Sequence, residues 1–284
     1  MHVAKLGTGP AVLFPHGFPT LWITWRHRIT VLAAAGFRAI APDQRGYGDT
    51  SVPSDVWTYG IEYLSGNVVR LLDALDLEHV VVVGHDWGTM VAWYTALMHP
   101  ERVRAVAGVS VPFVPRTPVP PTQFWRETPG EDFYMLWLRE PGVADALFDA
   151  DVERAPNGRW VLDHEAWHNG PATDRLTAPT PQDQALIDSL KRNGWTGPLN
   201  WYRNFDRNWE LLAPHSGRTI DQSALYIGGE KDPVLQFMPP SLMDGHVTDL
   251  RGADILPGVT HWIQEEAPDQ VNRRLLDFLA GVSK

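Results

Sequence analysis

From Ala11 to Val111, short apolar runs (AVLF, FRAIA, HVVVVG, VRAVAGVS) alternate with stretches of helical period. Strands that are apolar throughout and separated by helices predict a parallel sheet covered on both faces, and therefore an α/β class. One helix is legible residue by residue. Ile61, Leu64, Val68, Leu71, Leu72 and Leu75 recur largely at spacings of three or four and form one apolar stripe suited to covering a sheet. The alternation stops at Pro112, where PFVPRTPVPP can continue neither strand nor helix and leads into a Trp-rich, helical and irregular stretch. It resumes with SALYIG, a second short strand near Asp249 to Leu256, and a closing amphipathic helix carrying Val271, Leu275, Leu276 and Phe278. The expected organisation is a core in two parts, 1–112 and 214–284, interrupted by a helical cap at 113–213.

Composition narrows the partners. The chain has 284 residues, 44% of them hydrophobic, enough for a substantial buried core. A formal net charge of −10 and the lack of any basic run argue against nucleic acid and anionic membrane surfaces. There is no cysteine, hence no disulfide, thiolate nucleophile or Cys-ligated metal. No apolar run approaches the roughly 20 residues needed to cross a bilayer, and no signal peptide is visible. The expectation is a soluble cytoplasmic protein, monomer or homodimer.

The chemistry concentrates after the strand ending at Val83. Gly84-His85-Asp86-Trp87-Gly88 followed by a helical run has the form of a nucleophile elbow. This turn is tight enough to favour glycine at its flanks, and it holds the central side chain above the sheet at a helix N-terminus. The central residue is Asp86, not serine. A serine alkylated by a saturated carbon becomes an ether that water does not readily cleave; a carboxylate becomes an ester with an attackable carbonyl. An elbow aspartate thus points to alkyl transfer followed by hydrolysis. An acid and then a histidine follow in the order expected of such a site: Asp232, in GGEKDP after a strand, and His261, in GVTHW ahead of the last helix. Glu230 is a rival for the acid, less well placed before the Pro233 turn. The strand AVLF runs into Pro15 and His16-Gly17-Phe18-Pro19, a loop able to supply an oxyanion donor. The backbone N–H groups of Phe18 and Trp87 are the expected pair.

HGFP, DQRGYGDTSVP, GHDWG, PERVRAV, EPGVA, GPLNWYRN, GGEKDP and the terminal THW span nearly the whole chain and together resemble the epoxide hydrolase family. The resemblance implies an eight-stranded α/β-hydrolase core with a mostly parallel sheet, an inserted helical cap, and two cap tyrosines that polarise the epoxide oxygen. By motif these are Tyr134, in FYMLWLREPG, and Tyr202, in GPLNWYRN. Ring opening releases an alkoxide, and a phenol can protonate it. The implied substrate is a small hydrophobic epoxide, with no metal and no organic cofactor. Two departures stand out: the chain starts near what would be the second strand, and Thr89 follows Trp87-Gly88 where a second glycine is common.

The alternative is a haloalkane dehalogenase, which resembles this chain in fold and in its elbow aspartate. It would leave the tyrosines without a role, and position 18 is Phe where many dehalogenases place Asn. A zinc site at His164-Glu165-Ala166-Trp167-His168 matches H-E-x-x-H but is closed off by Asn169-Gly170-Pro171 and lacks a convincing third ligand. Several of the 13 tryptophans fall in the cap (Trp125, Trp137, Trp160, Trp167, Trp195, Trp201, Trp209), where they suit both core packing and an aromatic pocket wall.

Overall fold

The computed structural model describes residues 1–157 and 179–282. It divides into two compact units: the larger comprises 2–43, 61–116 and 213–284, the smaller 44–60 and 117–212.

The larger unit is built on seven strands: β1 (Val3–Leu6), β2 (Ala11–Leu13), β3 (Arg38–Pro42), β4 (Val80–His85), β5 (Val103–Val109), β6 (Ser223–Gly229) and β7 (Leu250–Leu256). Their order is β1-β3-β2-β4-β5-β6-β7, parallel except for β1, which runs antiparallel to β3 from Val3 opposite Pro42 to Leu6 opposite Ala39. The resemblance implies eight strands; among the described residues there are seven. Strand β1 is short and half-exposed, without the apolar run that betrays the central ones. All six residues of β4 are buried, as a strand packed on both faces requires.

Alternate residues divide between the faces. Val81 and Val83, Ala105, Ala107 and Val109, and Leu225 and Ile227 join one buried cluster with Trp25, Ile29 and Leu32 around α1 (Arg26–Ala34) and Val271, Leu275 and Phe278 of the C-terminal helix. The intervening Val80, Val82 and Val106 are equally buried. Helices α2 (Ile61–Ala74) and α3 (Trp87–Met98) pack on each other, and α3 lies against β4 and β5. The apolar stripe of α2 is buried at Ile61, Leu64, Val68, Leu71 and Leu72.

The smaller unit carries α4 (Pro121–Glu127), α5 (Tyr134–Leu138), α6 (Val143–Asp149), α7 (Pro181–Asn193), α8 (Thr196–Arg203) and α9 (Phe205–Leu211). It also takes in residues 44–60, which the apolar pattern assigns to the first core part. Hydrogen bonds explain the grouping. Gly48 N–H donates to Ser189 Oγ (3.0 Å), Asn193 Nδ2 to Gly48 O (2.8 Å), Trp201 Nε1 to Arg45 O (3.1 Å) and Asn204 Nδ2 to Val56 O (2.7 Å). Trp125, Trp195 and Trp201 are buried in this unit, so they serve packing; Trp160, Trp167 and the HEAWH stretch lie outside the described residues. Back in the larger unit, α10 (Ile263–Glu266) and α11 (Pro268–Gly281) close the chain. Among the described residues, no helix is long and apolar enough to cross a membrane.

Candidate active site

The elbow is drawn tight by its glycines. A Cβ on Gly84 would fall 2.1 Å from Gly88 O, and one on Gly17 would fall 2.4 Å from the Asp86 side chain, so the HGFP loop reaches the aspartate only because position 17 is bare. Asp86 adopts φ 53° and ψ −122°, a strained conformation for a residue with a Cβ. Its surroundings hold it there. Asp86 N–H donates to Val109 O at the end of β5 (3.3 Å), and Thr89 N–H to Asp86 O (2.9 Å). Thr89 itself fits well: its buried hydroxyl donates to Val109 O (3.0 Å), and its methyl occupies the space left by Gly108.

The two ends of the Asp86 carboxylate meet different groups. Phe18 N–H donates to Oδ1 at 2.6 Å, and Trp87 N–H also donates to the carboxylate. Oδ2 faces His261 Nε2 at 3.6 Å. Burial raises the Asp86 pKa, and the nearby His261 charge and the two amides only partly offset it.

Asp232 is the same acid in the opposite setting. It caps a 3₁₀ turn, with Oδ1 accepting from Val234 N–H (3.0 Å), and both oxygens stand 3.2 Å from His261 Nδ1. Burial would raise its pKa, but His261 by hydrogen bond and charge, then Ser110 and the Val234 amide, outweigh burial and lower it. Glu230 points elsewhere and accepts from Gly258 N–H (2.7 Å).

His261 lies between β7 and α10. With acceptors around Nδ1, its proton sits there, leaving Nε2 free to accept one. Burial would lower its pKa; the hydrogen bond and charge of Asp232, with the charges of Asp86 and Glu266, overcome that and raise it. Lys231 N–H donates to Val259 O (2.9 Å) and Glu230 N–H to Leu256 O (3.0 Å), tying the Asp232 loop to the His261 loop.

Two residues at this site escaped the sequence reading. His85 Nε2 donates to His261 O (2.9 Å), its ring centroid is 4.9 Å from that of His261, and burial followed by the His261 charge pushes its pKa down to about 3. Ser110, one residue beyond β5, donates its hydroxyl to Asp232 Oδ2 (2.7 Å) and stands 3.1 Å from His261 Nδ1. The only local signal for Ser110 is a polar residue ending an apolar strand ahead of Pro112.

Asp86, Asp232, His261 and the Phe18 and Trp87 amides are thus brought together in the larger unit. Tyr134 and Tyr202 belong to the smaller unit, where rings link them: Tyr202 to Phe205 (6.0 Å between centroids), Phe205 to Trp125 (4.6 Å), Trp125 to Phe133 (5.6 Å) and Phe133 to Tyr134 (5.0 Å). Next to Tyr202, Arg203 pairs with the half-buried Asp145 and donates to Asn200 Oδ1 (2.8 Å). Among the described residues, no group of three or more His, Asp or Glu side chains is arranged to hold a metal.

The profile of the alpha/beta hydrolase fold family matches residues 10–243. Epoxide hydrolase A of Mycobacterium tuberculosis is 42% identical, over 96% of this chain and 91% of the relative. The chain belongs to the epoxide hydrolases. Another family member, epoxide hydrolase 2 of Siraitia grosvenorii, is 38% identical over 98% of this chain and 94% of its own. The crystal structure of epoxide hydrolase A from Mycobacterium thermoresistibile superposes with a TM-score of 0.90 at 42% identity, over 99% of this chain and 95% of the other. These epoxide hydrolases match nearly end to end, so the likeness embraces both units.

Proposed function

We propose that this protein hydrolyses an epoxide to a vicinal diol through a covalent ester on Asp86. One observation carries the reading: the two Asp86 oxygens meet different groups, Oδ1 the Phe18 N–H at 2.6 Å and Oδ2 the His261 Nε2 at 3.6 Å, with the Trp87 N–H also donating to the carboxylate. Oδ2 attacks an epoxide carbon, the C–O bond of the ring breaks, and Tyr134 and Tyr202 hydrogen-bond and protonate the departing alkoxide. His261 Nε2 then takes a proton from water as that water attacks Cγ of the ester. Charge collects on Oδ1, where the two amides receive it, and Asp232 stabilises the imidazolium. Collapse breaks the Cγ–Oδ2 bond, His261 returns a proton to Oδ2, the diol leaves carrying the aspartate's oxygen, and the proton left on the Asp86 acid passes through solvent to the tyrosinate. Each step has a protein group, so the reading needs no metal or organic cofactor. Its partner is a small hydrophobic epoxide, without nucleic acid or membrane. The kinship with proteins named epoxide hydrolases supports it over halide release.

The test is one turnover in heavy-oxygen water. The label is expected in the Asp86 carboxylate and absent from the first diol, and styrene oxide is a suitable substrate. Label in the first-turnover diol would recast Asp86 as a general base. In parallel, His261→Gln is expected to gain the mass of one substrate on the peptide containing Asp86.

A further inference from the structure

Ser110 sits at φ 81°, fully buried, in a backbone conformation that costs a side-chain-bearing residue on the order of 1–3 kcal/mol. Both of its peptide groups are clamped: its N–H donates to Ile227 O (2.9 Å), and its carbonyl accepts from Tyr226 Oη (2.7 Å). Glycine would be free of the strain, so a serine here calls for a use of its hydroxyl. That hydroxyl has one proton, and the 2.7 Å contact assigns it to Asp232 Oδ2. The lone pairs are then left to face His261 Nδ1 at 3.1 Å, where the imidazole carries its N–H.

We propose that Ser110 is a positioning residue for the hydrolytic half of the reaction, locking Asp232 against His261 by donating to the carboxylate and accepting from the imidazole Nδ1–H. The two Asp232 contacts to Nδ1 are both 3.2 Å, longer than the usual charge-assisted bond, so the carboxylate alone leaves the ring under-determined. Ser110 supplies the third point. It holds Asp232 Oδ2 from the β5 side while Val234 N–H holds Oδ1, and it rewards only the tautomer that leaves Nε2 bare. The inference rests on the ester mechanism above, because only there do the two half-reactions divide between different residues.

The test follows ester formation and ester breakdown separately by quenched-flow mass measurement on the full-length protein. Ser110→Gly, which removes the hydroxyl and relieves the backbone, is expected to melt no lower than the parent and to form the Asp86 ester at the parental rate. Breakdown should slow by about 10- to 100-fold, the loss of a buried hydrogen bond to a charged group. Ester should then accumulate, with kcat and KM falling together and kcat/KM held. Ser110→Ala should behave alike in breakdown. Ser110→Asn, which tolerates positive φ and has both a donor and an acceptor, should restore breakdown to within a fewfold. Parental breakdown in the glycine and alanine variants, or formation and breakdown slowed equally, would overturn the proposal. His261→Gln run alongside separates the two readings: if it accumulates no ester, the Asp86 mechanism fails, whereas ester there with normal breakdown in Ser110→Gly removes Ser110 alone.

Discussion

The groups at the strand ends of the larger unit touch one another directly, Ser110 to Asp232, Asp232 to His261, and His85 to His261, through hydrogen bonds spanning 29 to 176 residues of chain. In the smaller unit Tyr134 and Tyr202 each pack against a phenylalanine ring, and an ion pair stands one residue from Tyr202. The two settings fit the tasks that the proposed mechanism gives each set. A base must present one nitrogen in one tautomer, which only hydrogen bonds can select. On the proposed mechanism a phenol that donates to the epoxide oxygen needs its ring fixed, and ring packing contributes to that.

The comparison breaks most sharply at Asp86. Asp86→Asn should lower turnover by about four orders of magnitude or more while raising the melting temperature, because it deletes a carboxylate whose ionised form burial disfavours. A variant that is inactive and also less stable would contradict that account. Next, Tyr134→Phe with Tyr202→Phe should slow ester formation by about 100-fold or more and leave breakdown of a preformed ester unchanged. Equal slowing of both steps in a pre-steady-state experiment would dissolve the division between the units. The ion pair in the smaller unit is probed by Arg203→Met, which leaves the half-buried Asp145 carboxylate with Thr196 Oγ1 and Gly142 N–H as its donors. Denaturant titration should show a loss of about 1–3 kcal/mol.

Two pH effects are smaller. On the proposed mechanism ester breakdown requires neutral His261, whose pKa is raised, so its rate should climb with pH and level off above a midpoint higher than 6.5. A midpoint below 6.5 would count against the Asp232 pairing. For stability the sign at His85 is opposite to that at His261. Below pH 6.5 the unfolded chain protonates this histidine, while the folded one stays neutral down to about 3. Each unit of acidification in that window therefore costs about 1.4 kcal/mol from this group, and His85→Gln should flatten the dependence by as much.

Much of this was legible because it is local. Strands β4 and β5 are rich in valine and alanine, and the elbow is five consecutive residues whose glycines and aspartate carry their reasons with them. Asp232 and His261 were reachable through chain order. Ser110 was not, since its partners lie 122 and 151 residues away and a serine at a strand end is otherwise unremarkable. That residues 44–60 group with the smaller unit was hidden for the same cause: their backbone amide and carbonyls bond to side chains 141 to 156 positions later. β1 was missed because an exposed edge has no apolar pattern to read.

The adjacency of β5 and β6 sets a clock on biosynthesis. Val109 pairs with Ile227 and Ala105 with Ser223, yet about 110 residues separate the end of one strand from the start of the other. At about 5–20 residues per second, the ribosome leaves the apolar flank of β5 without its neighbour for roughly 5 to 20 seconds. Through that interval the nascent chain exposes a strand edge of the kind that recruits chaperones or self-associates, and Asp232 and His261 are still unmade. Synonymous or temperature changes that prolong the wait should therefore lower the soluble yield without altering the specific activity of what survives.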